Sequence, residues 1–323
     1  MLLTLVLLLL PSSGVLALEA ESLVPGGSAV GIDLETRGVI VVGLSDVETV
    51  QGDKRPAEEA GLAVGDVITQ IGQRSIDSAA DFLSAMREAD GSSLELTVDR
   101  EGKELCIHAS PVKNREGSFQ LGLWLRDGVS GIGTVTFYDP ESGIFGALGH
   151  GINDVETGEL LPFDTGSITG AQVVDVIPGT SGSPGELCGQ FDRETVLGAL
   201  EKNTDSGIFG TALLPQGSAP IPVAHEDEVE LGPALIRSNI SGSDVRDYTV
   251  EISRIYRDAE DNRFLLLTVT DPALLAVTGG IVQGMSGSPI LQNGKLVGAV
   301  THVLLNDPHK GYGISIDRML QAA

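Results

Sequence analysis

The stretch Gly284-Met285-Ser286-Gly287-Ser288-Pro289-Ile290, continuing through Asn293-Gly294-Lys295 into Leu296-Val297-Gly298-Ala299-Val300, decides the reading of this chain. Glycines on both sides of Ser286 allow a tight, partly strained loop that turns backbone N–H groups toward one point, as an oxyanion hole requires. The expected donors are the amides of Gly284 and Ser286. Small neighbours also let a substrate carbonyl approach the Ser286 hydroxyl. The Asn-Gly pair between two apolar runs predicts a hairpin that returns as a strand.

A serine hydroxyl is a weak nucleophile and needs a base within hydrogen-bond reach. Five histidines compete for that role. His150 sits in Phe145-Gly146-Ala147-Leu148-Gly149-His150-Gly151-Ile152, where flanking glycines would let a substrate near the ring. His302, on the strand after the nucleophile hairpin, is the rival. His108, His225 and His309 fall in an N-terminal unit, an acidic loop and a turn. For the acid that would orient the imidazole, Asp271 in Thr268-Val269-Thr270-Asp271-Pro272 stands 286 − 271 = 15 positions before the serine. Asp-Pro is equally a turn or helix start. A second segment, Gly179-Thr180-Ser181-Gly182-Ser183-Pro184, nearly repeats the nucleophile sequence, but it runs into Gly185-Glu186-Leu187-Cys188-Gly189 rather than an apolar hairpin, so it reads as a turn.

Around these residues the chain is 323 long, with 42 Gly, 15 Pro and 4% aromatics, a composition of short apolar runs between punctuation points that favours β structure. Its formal charge of −25 repels phosphate backbones, which excludes nucleic acid as a partner. The two cysteines, Cys106 and Cys188, leave free thiols and a bridge both open. With no Cys-x-x-Cys and no ligand-like histidine spacing, neither metal nor cofactor is expected. The opening Met1-Leu-Leu-Thr-Leu-Val-Leu-Leu-Leu-Leu10 and its continuation to Leu18 predict a signal peptide or membrane anchor over residues 1–20.

Residues 23–113 read as a small α+β unit with a helix capped by Ser78. Leu23-Val24-Pro25-Gly26-Gly27, and Pro56-Ala57-Glu58-Glu59-Ala60-Gly61-Leu62 followed by Gly65-Asp66-Val67-Ile68, resemble a PDZ domain. The resemblance implies that an extended peptide adds as a strand beside Val30–Leu34 along the Ser78 helix, with the Leu23–Gly27 loop receiving one peptide end. Residues 118–323 read as short strands. The Ser286 loop resembles the nucleophile loop of chymotrypsin-like proteases, so the expected fold is mainly β: a PDZ-like domain, then a double β-barrel.

Ala147-Leu-Gly-His-Gly-Ile152, Thr270-Asp-Pro-Ala-Leu-Leu275 and Gly279-Gly-Ile-Val-Gln-Gly-Met-Ser-Gly-Ser-Pro-Ile290, behind an apolar segment and a PDZ domain, resemble the S55 serine peptidases of endospore-forming bacteria, the stage IV sporulation protein B family. That resemblance implies His150, Asp271 and Ser286 as catalytic residues. It also implies secretion from the forespore, cleavage of a membrane-bound complex that inhibits an intramembrane protease, and PDZ-controlled self-cleavage near the N-terminus. The order His, Asp, Ser matches chymotrypsin-like enzymes, but an aspartate so near the serine does not. The alternatives are a non-catalytic PDZ scaffold and a general extracytoplasmic quality-control protease, which usually carries its PDZ modules after the protease domain.

Overall fold

The computed structural model describes residues 20–323 apart from Glu156, Thr157, Gln216, Ser218 and Glu260, so the expected signal or anchor lies outside the described residues. The chain opens with β1 (Ser22–Pro25) and β2 (Ala29–Leu44). A smaller unit follows, with α1 (Pro56–Ala60), β3 (Val67–Ile71), α2 (Ala79–Glu88), β4 (Leu94–Arg100) and β5 (Lys103–Ala109). Next come β6 (Leu123–Tyr138), β7 (Ile144–Ala147), β8 (Thr165–Ile177), β9 (Glu186–Thr204) and β10 (Gly207–Ala212). The last third holds β11 (Gly232–Asn239), β12 (Val245–Ile255), β13 (Leu265–Val269), α3 (Pro272–Thr278), β14 (Pro289–Gln292), β15 (Lys295–Leu304), β16 (Asp307–Ser315) and α4 (Ile316–Ala322).

Two antiparallel rings result. The first runs β6-β7-β10-β9-β8-β2 and closes through the β2–β6 pairing; the second is the closed barrel β11-β12-β13-β16-β15-β14. Alternating residues fill each: Val30, Ile32, Leu34, Val135, Phe145, Ile168 and Ile208 in the first, Ile236, Val250, Ile252, Leu265, Leu267 and Ile290 in the second. A further cluster including Phe137, Phe209, Leu296, Ile314 and Met319 joins strands of both. Burial of this kind contributes about 25 cal/mol per Å² of apolar surface, so three filled interiors dominate the stability. The PDZ domain has its own core, in which Phe82 and Met86 of α2 meet Val39, Val41, Ile68, Leu96 and Val98. Ser78 caps α2 as expected, accepting from the Asp81 amide.

The domain boundary differs from the one drawn on the sequence. β2 and β6 pair from Leu44↔Leu123 to Ala29↔Thr134 as one long ribbon. Its Ala29–Glu35 half is a barrel strand, also paired with β8, and its Val39–Leu44 half belongs to the PDZ core. The PDZ domain is therefore an insertion between two strands of the first barrel. The alternation of Val30, Ile32 and Leu34 gives way to the continuous apolar run Val39–Val42, but a strand's pattern shows its faces and not its partners, so it could not assign the two halves to different domains.

The same pairings correct two expectations about peptide binding. Both edges of Val30–Leu34 are occupied, by β6 and by β8, leaving no room for an added strand there. Leu23-Val24-Pro25-Gly26-Gly27 is no carboxylate-receiving loop. Leu23 is fully buried, Val24 and Pro25 pair with Tyr138 and Phe137, and the amides of Gly26 and Gly27 donate to the carbonyls of Thr136 and Val135. A Cβ at Gly26 would collide with the Val135 carbonyl, so the Gly-Gly pair serves close backbone approach to β6.

Candidate active site

Ser286 lies between β13–α3 and the β14–β15 hairpin, on a loop whose glycines Gly284 and Gly287 both have φ of +94°. That region is open to glycine at no steric cost. The loop belongs to the second barrel but is held by the first. Thr134 of β6 donates its amide to the Ser286 carbonyl at 3.0 Å and its hydroxyl to the Gly284 carbonyl at 2.8 Å. Thr136 donates its hydroxyl to the Gly287 carbonyl at 2.8 Å. Both threonines are buried. A Cβ at Gly287 would strike the Thr134 carbonyl and the Leu148 amide, so no other residue fits where the loop crosses the seam.

The same seam positions His150. Leu148, a non-glycine residue at φ +68°, and Gly149 at φ +69° bend the chain sharply after β7. A leucine in this region costs about 1–3 kcal/mol, strain of the sort found at functional sites. The bend is fixed by the Leu148 amide donating to the Thr134 carbonyl at 3.2 Å, and Gly149 packs against Ala299, Thr301 and Ile314 of β15 and β16. Thr134 thus bonds to both the serine loop and the histidine turn.

His150 Nδ1 meets the Gly151 carbonyl at 2.7 Å. A carbonyl only accepts, so Nδ1 carries the proton and Nε2 keeps its lone pair, the tautomer a general base needs. Burial lowers the His150 pKa, opposed in part by the Gly151 bond. The His302 ring is 4.7 Å away, centroid to centroid. Its pKa is pushed down to about 4, first by desolvation, then by the neighbouring His150 and Arg263. The His302 side chain is otherwise exposed to solvent.

Ser286 Oγ donates to the Thr301 carbonyl at 2.6 Å. The amides of Gly284 and Ser286, the expected oxyanion donors, have no acceptor among the described residues. Asp271 is placed apart from the histidine. It is the N-cap of α3, accepting from Ala273 and Leu274 and from the Thr249 amide at 3.2 Å, and it shares no hydrogen bond or ion pair with His150. Burial works against its ionisation, but the N–H donors of Leu274, Thr249 and Ala273 outweigh that and lower its pKa. The repeat segment is a turn: the Thr180 and Ser183 amides exchange bonds with each other's carbonyls, and exposed Ser181 donates to the Asn306 carbonyl.

Sequence reasoning missed Thr134, Thr136 and Thr301. The first two alternate with Gly133, Val135 and Phe137 in the manner of an exposed polar face, and only barrel closure buries them. Both cysteines are free, Cys106 exposed and Cys188 partly buried.

A serine on a glycine-flanked loop of one six-stranded ring, held by Thr134 of the other ring, which also fixes the turn that carries His150, fits a chymotrypsin-like serine peptidase. Comparison with known proteins agrees. The family described as SpoIVB peptidase S55 matches residues 117–320, and a PDZ domain matches residues 50–100. The chain belongs to the SpoIVB peptidase S55 family, a family of serine peptidases that hydrolyse peptide bonds. It is also similar to the zinc metalloprotease RasP of Shouchella clausii, 30% identical over 145 residues, 44% of this chain and 32% of that protein. RasP of Oceanobacillus iheyensis is 43% identical over 56 residues, covering 17% and 13%. The serine protease HTRA1 of Xenopus tropicalis is 39% identical over 56 residues, covering 17% and 12%. The chain spans at most about a third of the length of these relatives.

Proposed function

We propose that the chain is an exported serine endopeptidase in which Ser286 attacks the scissile carbonyl and His150 accepts its proton at Nε2. The observation that carries this reading is the shared anchor Thr134, which bonds to the serine loop and to the turn bearing the histidine. The described state is a resting one. Ser286 must rotate away from the Thr301 carbonyl before it can donate to His150. The Gly151 carbonyl holds the imidazole tautomer through the Nδ1 proton, and the free amides of Gly284 and Ser286 would receive the oxyanion. The acyl-enzyme then forms as the amine leaves with the proton from His150, and water reverses the sequence.

Family resemblance assigns the acid to Asp271, while its hydrogen bonds give it a capping task. Asp271→Asn separates the two, because the amide oxygen can still accept from Ala273 and Leu274 as a cap, at the loss of only the Thr249 bond to the second oxygen. A fall in kcat of about 10⁴, the scale seen when a triad acid becomes an amide, identifies the acid. A near-normal rate leaves the Gly151 carbonyl as the anchor of the base.

Family membership and the apolar N-terminal stretch support a finer reading. The enzyme is secreted from the forespore, cuts a membrane-bound inhibitory complex, and so releases an intramembrane protease that matures a late sigma factor. Its own N-terminal region is a second substrate. The deciding experiment is fluorophosphonate labelling with co-expression of the membrane-bound substrate. Wild type and Ser181→Ala should label and cut, whereas Ser286→Ala and His150→Ala should do neither. Labelling without substrate cleavage would retain the peptidase and reject the sporulation role.

A further inference from the structure

The PDZ hairpin β4–β5 carries a group of side chains that peptide hydrolysis does not use. Glu95 and His108 are direct cross-strand partners, and Cys106 pairs with Thr97 one step along. Residues two apart on a strand face the same way, so Glu95, Cys106 and His108 share one face. That face is the outer one, since Leu96 and Val98 between them are fully buried on the other. Their ligand atoms all lie within 4.8 Å of one another, and Cys106 Sγ is 4.0 Å from His108 Nε2.

We propose that Glu95, Cys106 and His108 form a surface site for a thiophilic divalent cation, zinc foremost. Zinc takes thiolate, imidazole and carboxylate at about 2.0–2.3 Å in a tetrahedron, which places donor atoms roughly 3.5 Å apart. The three side chains are exposed and unencumbered, and movements of about 1 Å at their tips complete that geometry. The donor set is chemically selective. A thiolate with an imidazole disfavours magnesium and calcium, and one thiolate with one carboxylate neutralises a dication. Binding displaces the thiol proton to solvent. The fourth position is left to water. Thr97, the cross-strand partner of Cys106, lines a cleft shared with Asp154, Glu159, Leu160, Pro162, Phe163 and Asp164 between β7 and β8, so the site is one strand pair away from that cleft without lining it. The i, i+2 spacing Cys106-x-His108 was the sequence signal; it has meaning only on a strand, and only the hairpin register adds Glu95.

The test is anaerobic titration of the full-length, reduced, chelator-stripped protein with cobalt(II). One equivalent should give a near-ultraviolet thiolate-to-cobalt charge-transfer band with the visible bands of a tetrahedral ion, release about one proton near neutral pH, and be displaced by zinc. Cys106→Ser should abolish the charge-transfer band, His108→Ala and Glu95→Gln should weaken binding at least about tenfold, and Cys188→Ser should leave it unchanged. All three ligands are exposed, so these variants fold, and retained fluorophosphonate labelling checks that they have. The proposal is overturned if the reduced wild type gives no thiolate–cobalt band, or if the band survives in Cys106→Ser.

Discussion

The Oγ of Ser286 lies 2.6 Å from the carbonyl oxygen of Thr301 and donates its proton there. A hydroxyl has one proton, so this bond and a bond to His150 exclude one another. β15 therefore holds the Ser286 hydroxyl in a rotamer that cannot at the same time donate to His150. A hydrogen bond of this kind contributes about 0.5–1.5 kcal/mol net, little enough for a bound substrate to reverse.

The environment of His150 sets the pH dependence. Burial disfavours its imidazolium, so the neutral, proton-accepting form survives to lower pH than in an exposed ring. The acid limb of kcat/KM should fall below about pH 6.5, the ordinary imidazole value. His302 is neutral over the same range, its pKa being pushed down to about 4, so His302→Asn should keep most activity while His150→Asn is nearly inactive. Both rings bind protons more readily when unfolded, so stability should decline as pH drops below about 6.5. Urea midpoints measured across that range, in wild type and His302→Asn, check the second half.

The seam contact at Gly287 makes a sharp comparison. Gly287→Ala places a methyl group against the Thr134 carbonyl and the Leu148 amide at a positive φ, so activity should fall by orders of magnitude, with a loss of stability of about 3 kcal/mol or more. Gly131→Ala, where a Cβ would meet nothing within 4 Å, should be near neutral. Equal behaviour of the two variants in thermal melts and peptide hydrolysis would refute the proposed seam.

Thr301 is buried, and its hydroxyl has no hydrogen-bond partner. An unsatisfied buried polar group costs about 1–3 kcal/mol. Thr301→Val keeps the shape and the main-chain carbonyl that Ser286 uses, so it should raise the denaturation midpoint without loss of peptidase activity. A destabilised variant would mean that the hydroxyl is satisfied in solution.

Because β2 and β6 serve both domains, removing the PDZ domain depends on where the chain is cut. Deleting residues 23–113 takes away a barrel strand and should yield unfolded, inactive protein. Joining Glu35 to Gly128 by a short turn, at positions that already pair across the ribbon, should leave the barrel closed and able to hydrolyse a short unstructured peptide. Circular dichroism and peptide hydrolysis on both deletions check this.

Much of the site was legible because its chemistry is local. The glycines around Ser286 and His150, the Asn-Gly hairpin and the Ser78 cap each act within a few residues, and backbone sterics alone dictate their composition. Long-range pairing was not legible. Leu23–Gly27 and Val30–Leu34 read as a PDZ groove because a strand's own sequence carries its faces but not its partners, and closure of the first barrel took both. For the same reason nothing in the sequence marked Thr134 and Thr136 as seam residues, or joined Glu95 to Cys106 and His108. Asp271 shows the remaining division: its sequence marked it equally as a triad acid and as a helix start, and in the described fold its carboxylate is turned to the amides of α3 and β12. The sequence by itself determined the local conformations and the reactive groups; the joining of the Ser286 loop and the His150 turn through Thr134 was decided by tertiary structure, since contacts between residues so far apart form only when both rings close.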